Sequence, residues 1–199
     1  MTVGEEMSVA EPLETEGLAD NRLTAIYIAV LAVLIAICSI GDDDASKTMI
    51  RSSVGAADTY AFFQAKNVRQ SGFALAADEF EAALLNRGLD ENIRKYMQDK
   101  LGKYRATVER YESEPATGDG KKELLVKARA LEAERDLALR RDPYFDYGQG
   151  LLQIAIVLAS ASLILGGAIL LWVSGIMGVI GALSTINAFA LLVELPFLS

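Results

Sequence analysis

The sequence predicts an all-α protein: three transmembrane helices, with a helical, coiled-coil-like hairpin domain inserted between the first and the second. Three observations predict it. Three long runs are apolar and almost free of charge. The polar stretch between the first two runs has helical rather than alternating periodicity. Of the 19 Lys and Arg, only Arg22 lies outside residues 42–149.

Residues 1–20 come first. They are acidic, with Pro12 and few large apolar side chains. They bury too little surface to offset chain entropy, so a disordered tail is expected. The run Leu23–Ile40 carries no charge. A helix over 21–41 crosses a hydrocarbon core of about 30 Å, which takes roughly 20 residues. An acidic flank before it and three aspartates after it do not suit a cleaved signal, so a retained anchor is expected.

Residues 42–149 are expected to form a soluble helical domain. Met49, Ala56, Tyr60, Phe63 and Asn67 fall to one side of a helix that Gly72 is expected to interrupt. "NRGLDEN" reads as a stop and a fresh start, with Gly88 in a left-handed cap and Asp90 as an N-cap. Ile93, Met97, Leu101, Tyr104, Val108 and Tyr111 then step by four or three along one face. "SEPATGDGKK" breaks that helix. Leu124, Ala128 and Leu131 begin the next stripe, which predicts an antiparallel hairpin. Pro143 and Gly148 are expected to loosen the second helix. Tyr144, Phe145 and Tyr147 are expected to form an aromatic belt at the membrane interface.

The second span is expected over 150–172 and the third over 175–198. A tight turn in "WVSGIMG" joins them, with Trp172 marking the opposite interface. Ser162 and Gly166, and Ser174, Gly178 and Ala182, recur at intervals of four and permit close helix packing, within the hairpin or between copies. Asn187 is expected to hydrogen-bond across helices. Ser184 and Thr185 can bond back to their own helix. Glu194 reads as an anchor at the membrane edge, with an ion-pathway role as the alternative.

The chemical inventory is narrow. Net charge is −8, histidine is absent and Cys38 is the single cysteine. That removes the commonest general base and metal ligand, intrachain disulfides and cysteine zinc sites. No phosphate-binding loop appears. No basic groove for nucleic acid appears either. Asp42, Asp43 and Asp44 lack the spacing of a calcium loop and read as a solvated membrane exit. The sequence therefore nominates no catalytic residue, metal or cofactor, and a non-enzymatic role is expected.

The stretch "YAFFQAKNVRQ" supplies the candidate interaction or lipid-contact residues Phe62, Phe63, Gln64, Lys66 and Arg69. Lys66 and Arg69, three apart, share a helix face. Together they would hold a lipid phosphate or a partner's carboxylate. The alternative is packing with intrachain pairing, for instance to Asp58. Phe62, Phe63, Gln64, Ala65, Lys66 and Arg69, the start "NRLTAIYIAVLAVLIAICSIGDDDASK" and the order of three spans resemble a bacterial membrane family known as domain of unknown function 4337. Tyr60 stands where that family more often has tryptophan. The resemblance implies no activity.

These readings lead to an expected role as an integral inner-membrane scaffold or assembly subunit that homo-oligomerises in the lipid bilayer. The order of tail, span, polar domain and span hairpin also resembles the ExbB and TolQ proton-channel subunits. The alternative is thus a component of an ion-translocating or transport complex with an unidentified membrane-protein partner. The lack of a helix after the third span departs from that pattern. Lys47, Arg51, Arg135, Arg140 and Arg141 on one side, against Arg22 on the other, place 42–149 and the C-terminus in the cytoplasm and the N-terminus in the periplasm.

Overall fold

The computed structural model describes residues 11–193, with side chains from Arg22 onward. Among the described residues the fold is all-helical: α1 (Glu11–Leu84), α2 (Glu91–Glu112), α3 (Lys121–Leu165) and α4 (Ala168–Ala190). Helices α1, α3 and α4 are long and apolar enough to cross a membrane. Contacts divide the chain into two units. One is Thr48–Leu137; the other joins the described residues before it to those from Ala138 onward.

Helix α1 is continuous over 74 residues. It begins at Glu11, so residues 11–20 of the expected tail are helical; residues 1–10 lie outside the described residues. Pro12 falls in the first turn, where its missing N–H has no intrahelical partner to lose. Gly72 does not interrupt the helix: a lone glycine costs only about 1 kcal/mol relative to alanine, and packed turns on both sides offset that. Burial along α1 repeats every seven residues, at Thr24, Leu31, Cys38, Ala45, Ser52, Thr59 and Lys66. Half-buried Phe73 and Phe80 continue the series. A seven-residue period keeps one seam of a helix turned toward its neighbours.

In the unit Thr48–Leu137, α1 packs on α2 and α3. The Phe73 ring lies 5.6 Å from Tyr104 and 5.9 Å from Tyr111, and Phe80 lies 5.7 Å from Tyr104. Ser52 donates to Glu134 at 3.0 Å, and Tyr60 donates to Glu132 at 3.1 Å. The α2 stripe from Met97 to Tyr111 is half-buried, while Ile93 is exposed; Leu124 and Ala128 are buried. Asp90 caps α2 by accepting from Asn92 N–H at 2.8 Å. Gly88 is not left-handed, since the positive-φ residues among those described are Gly118, Gly166 and Leu191. The Asn86 side chain accepts from Gly88 N–H at 2.9 Å instead, so an Asx turn makes the bend.

In the other unit, α1, α3 and α4 pack together. Phe145 is 1 % exposed. Gly41 makes room for it: a Cβ there would sit 2.5 Å from the Phe145 ring and 2.7 Å from Phe189. Tyr144 is buried too, and only Tyr147 of the expected belt faces outward. The gap beside Gly41 and Cys38 favours a large ring in the core over one at the interface. Helix α3 passes through Pro143 without a break. A proline costs about 3 kcal/mol in a helix interior, and the buried residues Ala138, Phe145 and Leu152 around it offset that cost. Gly148 is a contact point rather than a loose spot. A Cβ there would lie 2.8 Å from Thr185 Oγ1 and 3.2 Å from Gly181 O.

The α3–α4 turn is Gly166–Gly167, not "WVSGIMG". Gly166 takes φ 66°, and its N–H donates to Ser162 O at 2.9 Å. Only glycine adopts that conformation freely. The expected boundaries 150–172 and 175–198 therefore move: α3 ends at Leu165 and α4 runs over Ala168–Ala190. Trp172 lies one turn into α4, exposed.

Candidate functional site

Lys66 occupies a seam position on α1 and is 8 % exposed. A buried ammonium needs acceptors. Its Nζ donates to the Asp119 carbonyl in the α2–α3 turn. It also lies 5.0 Å from the Phe62 ring centroid and 5.8 Å from that of Tyr111, within range of cation–π attraction. Lys121 makes a second tie. Its Nζ donates to Gln70 Oε1 at 2.7 Å, lies 3.4 Å from Glu112 Oε2, and sits 5.6 Å from the Phe63 centroid. Gln70 Nε2 donates to Val108 O at 3.0 Å and to Glu112 at 3.1 Å. The Gln70 hydrogen bond, with help from Lys121 and against burial, holds the Glu112 carboxyl below its usual range. Across the turn, Ser113 donates to Glu123 at 2.6 Å and Glu114 N–H donates to it at 3.2 Å. These bonds, Ser113 foremost, hold Glu123 low as well.

Of the residues singled out in the sequence, Phe62, Phe63 and Lys66 thus meet in one cluster. Gln64 and Arg69 are exposed outside it. Lys66 and Arg69 do not form one cationic spot, because Lys66 points into the seam. Sequence reasoning missed Gln70, Tyr111, Asp119 and Lys121. The signal was Lys66 standing seven residues after Thr59 and seven before Phe73. The cluster clamps three helices to one another; its ammonium and amide groups are occupied.

The apolar unit holds the other candidates. Tyr27 donates to Ser174 O at 2.8 Å, and Ser174 Oγ donates to Ala155 O at 2.6 Å. A Cβ on Gly178 would sit 2.6 Å from the Tyr27 hydroxyl. Ser174 and Gly178 therefore pack within the chain, with Ala182 half-buried beside them. Ser162 is buried and bonds its own helix at Ala159 O, 2.8 Å away. Gly166 is an exposed turn residue, not a packing position. Thr185 bonds back to Gly181 O at 2.9 Å. Ser184 instead reaches across to Tyr144 O at 2.8 Å.

Asn187 does not bond across helices. Its side chain exchanges two hydrogen bonds with the Val193 backbone, at 2.8 and 2.9 Å. That closes the end of α4 over the left-handed Leu191. Glu194 lies outside the described residues.

A groove of about 880 Å³ opens at the α3–α4 turn, lined by Leu23, Thr24, Tyr27, Ser162, Leu165 and Leu171 among others. None of its lining residues is charged, and Thr24, Tyr27 and Ser162 bring hydroxyls to it. At the other end of α1's apolar run, Asp42 is half-buried. Burial first, then Asp146, Asp142 and Asp43, push its carboxyl up. Ser46 donates to Asp142 at 3.4 Å, and Lys47 pairs with Asp43 at 3.2 Å. Among the described residues, no three His, Cys, Asp or Glu are grouped to hold a metal ion.

No curated protein and no solved structure matches this chain. One family model does match, over residues 20–191, which takes in all of α2, α3 and α4 and most of α1. With the aromatic–lysine stretch and three apolar helices inside that match, the chain belongs to the family described as Domain of unknown function (DUF4337).

Proposed function

We propose that this protein is a homo-oligomeric scaffold of the bacterial inner membrane. Helices α1, α3 and α4 cross the bilayer, and Thr48–Leu137 forms an inserted helical domain on the cytoplasmic side. The observation that carries this reading is the use made of polar groups in Thr48–Leu137. Gln70 and Lys121 each tie one helix to another, and Lys66 ties α1 to the α2–α3 turn. Such ties serve a stiff helical prop. Lys47, Arg140 and Arg141 beside the apolar helices support the cytoplasmic placement.

The test is the mass of the full chain in lipid nanodiscs, by light scattering corrected for lipid. A multiple of 21.5 kDa is expected. A single-chain particle at micromolar concentration overturns the scaffold.

The ion-translocating alternative has one observation in its favour: Asp42, half-buried among carboxylates at the end of an apolar run. Its test is proton flux into liposomes. Flux that neither Asp42→Asn nor Glu194→Gln alters sinks it.

A further inference from the structure

The groove at the α3–α4 turn lies within the apolar unit, between the start of α1's apolar run and Gly166–Gly167. On the membrane reading it opens at one face of the bilayer, where acyl chains meet headgroups. Its volume of about 880 Å³ falls within the range of about 300–1,000 Å³ common to small-molecule sites. A water takes about 30 Å³, so a few bridging waters would leave most of the groove unfilled.

The chemistry of the lining is specific. The walls at Leu23, Leu165 and Leu171 are apolar and no lining residue is charged, so a charged head would be buried there without a counter-charge. The Tyr27 and Ser162 hydroxyls have their protons committed, to Ser174 O at 2.8 Å and to Ala159 O at 2.8 Å. Each oxygen keeps a lone pair with which to accept. The turn itself makes two backbone bonds, Gly166 N–H to Ser162 O and Leu170 N–H to Gly167 O. Among the described residues no backbone N–H reaches the carbonyls of Leu163, Ile164 and Leu165, which line the groove. Gly167, at the N-cap of α4, gives no side-chain bond to the N–H groups that follow it. Backbone groups in lipid need partners. A hydroxyl donates and accepts without charge, whereas an ammonium only donates and a phosphate only accepts.

We propose that this groove binds a neutral lipid with a hydroxyl head, of the diacylglycerol class. The hydroxyl lies at the α3–α4 turn and an acyl chain lies along Leu23, Leu165 and Leu171. The proposal rests on the membrane crossing of α1, α3 and α4, and it is independent of copy number and of orientation.

The test uses the full chain in phosphatidylcholine nanodiscs with a trace of one of two photoreactive lipids. One is a diacylglycerol and the other a phosphatidylglycerol, with the same diazirine on the acyl chain. Cross-linked peptides are mapped by mass spectrometry. Labelling within residues 23–27 and 162–175 should be about tenfold higher with the diacylglycerol, the ratio that one well-made hydrogen bond gives. Unlabelled dioleoylglycerol should compete it away. Leu165→Trp, which enlarges an exposed wall residue, should abolish this labelling. Val157→Trp, comparably exposed on α3 but outside the groove, should leave it unchanged. Helical content should stay the same in both variants. Equal labelling by the two probes means ordinary bilayer contact and overturns the site. Labelling by neither means that water or protein fills the groove, and overturns it as well. So does labelling that the two tryptophan variants affect alike. A chain that does not enter nanodiscs overturns the membrane reading and the site with it.

Discussion

Lys66 and Arg69 stand three residues apart and have different roles. Lys66 is buried at a helix seam with its ammonium on the Asp119 carbonyl; Arg69 is exposed. Lys66→Met keeps the apolar stem but leaves that carbonyl without its donor. A lost charge-assisted bond of this kind costs about 1–3 kcal/mol. Hydrogen exchange at amides 113–120 should therefore quicken about tenfold or more in Lys66→Met. Arg69→Gln should leave it unchanged, within about 0.5 kcal/mol.

Asp42 gives a pH-dependent counterpart. Burial and its carboxylate neighbours raise its folded pKa, so the folded state holds this proton more tightly than the unfolded chain does. Its contribution to stability is fully present below the ordinary aspartate pKa of about 3.9. It declines as pH rises through the raised value. Asp42→Asn should accordingly raise the thermal midpoint in detergent at pH 7, with the gain shrinking toward pH 4. A gain that grows on acidification would contradict this sign.

At the scale of the element, α1 is defined by a seven-residue burial repeat that hydrophobicity alone does not reveal. Four of its seven buried members are Thr24, Ser52, Thr59 and Lys66. The stripe legible in the sequence, Met49, Ala56, Tyr60, Phe63 and Asn67, runs beside the seam: Ala56 is buried and Met49, Tyr60 and Phe63 are half-buried, but Asn67 is exposed. The α2 stripe was legible because Met97, Leu101, Tyr104, Val108 and Tyr111 are themselves apolar or aromatic. The Gly166–Gly167 turn was not, because apolar residues flank it on both sides and no change of period marks it. Gly148, which the sequence suggests as a loose point, forms the close α3–α4 crossing with Gly181, a residue that no motif in the sequence marks. A Cβ on Gly181 would lie 2.9 Å from Leu152 Cγ and 3.0 Å from Gly148 O. Overpacking of this sort costs about 1–3 kcal/mol, more than the roughly 1 kcal/mol of helix propensity that alanine regains. Gly181→Ala should lower the thermal midpoint in detergent. Gly175→Ala, whose Cβ meets nothing within 4 Å, should hold or raise it.

At the scale of the molecule, three apolar helices and one charged segment fix a parity. On the proposed reading, with one crossing before residue 42 and two after residue 143, Thr117 and Ser199 are expected on the same side and Ser8 on the other. Which side is which depends on Lys47, Arg140 and Arg141 against Arg22, since basic residues close to the spans are retained in the cytoplasm and acidic ones contribute little. On that rule the proposed orientation stands beside the aspartates 42–44. In a Cys38→Ala background, a membrane-impermeant maleimide added outside intact spheroplasts should label Ser8→Cys, and leave Thr117→Cys and Ser199→Cys unlabelled until the membrane is broken. Labelling of Thr117→Cys and Ser199→Cys from outside, with Ser8→Cys protected, would invert the orientation and keep the three crossings. Labelling of Thr117→Cys and Ser199→Cys from opposite sides would require one of α3 and α4 to stay out of the hydrocarbon. The close contacts of Gly148 with Thr185 and of Gly181 with Leu152 join those two helices too tightly for that separation.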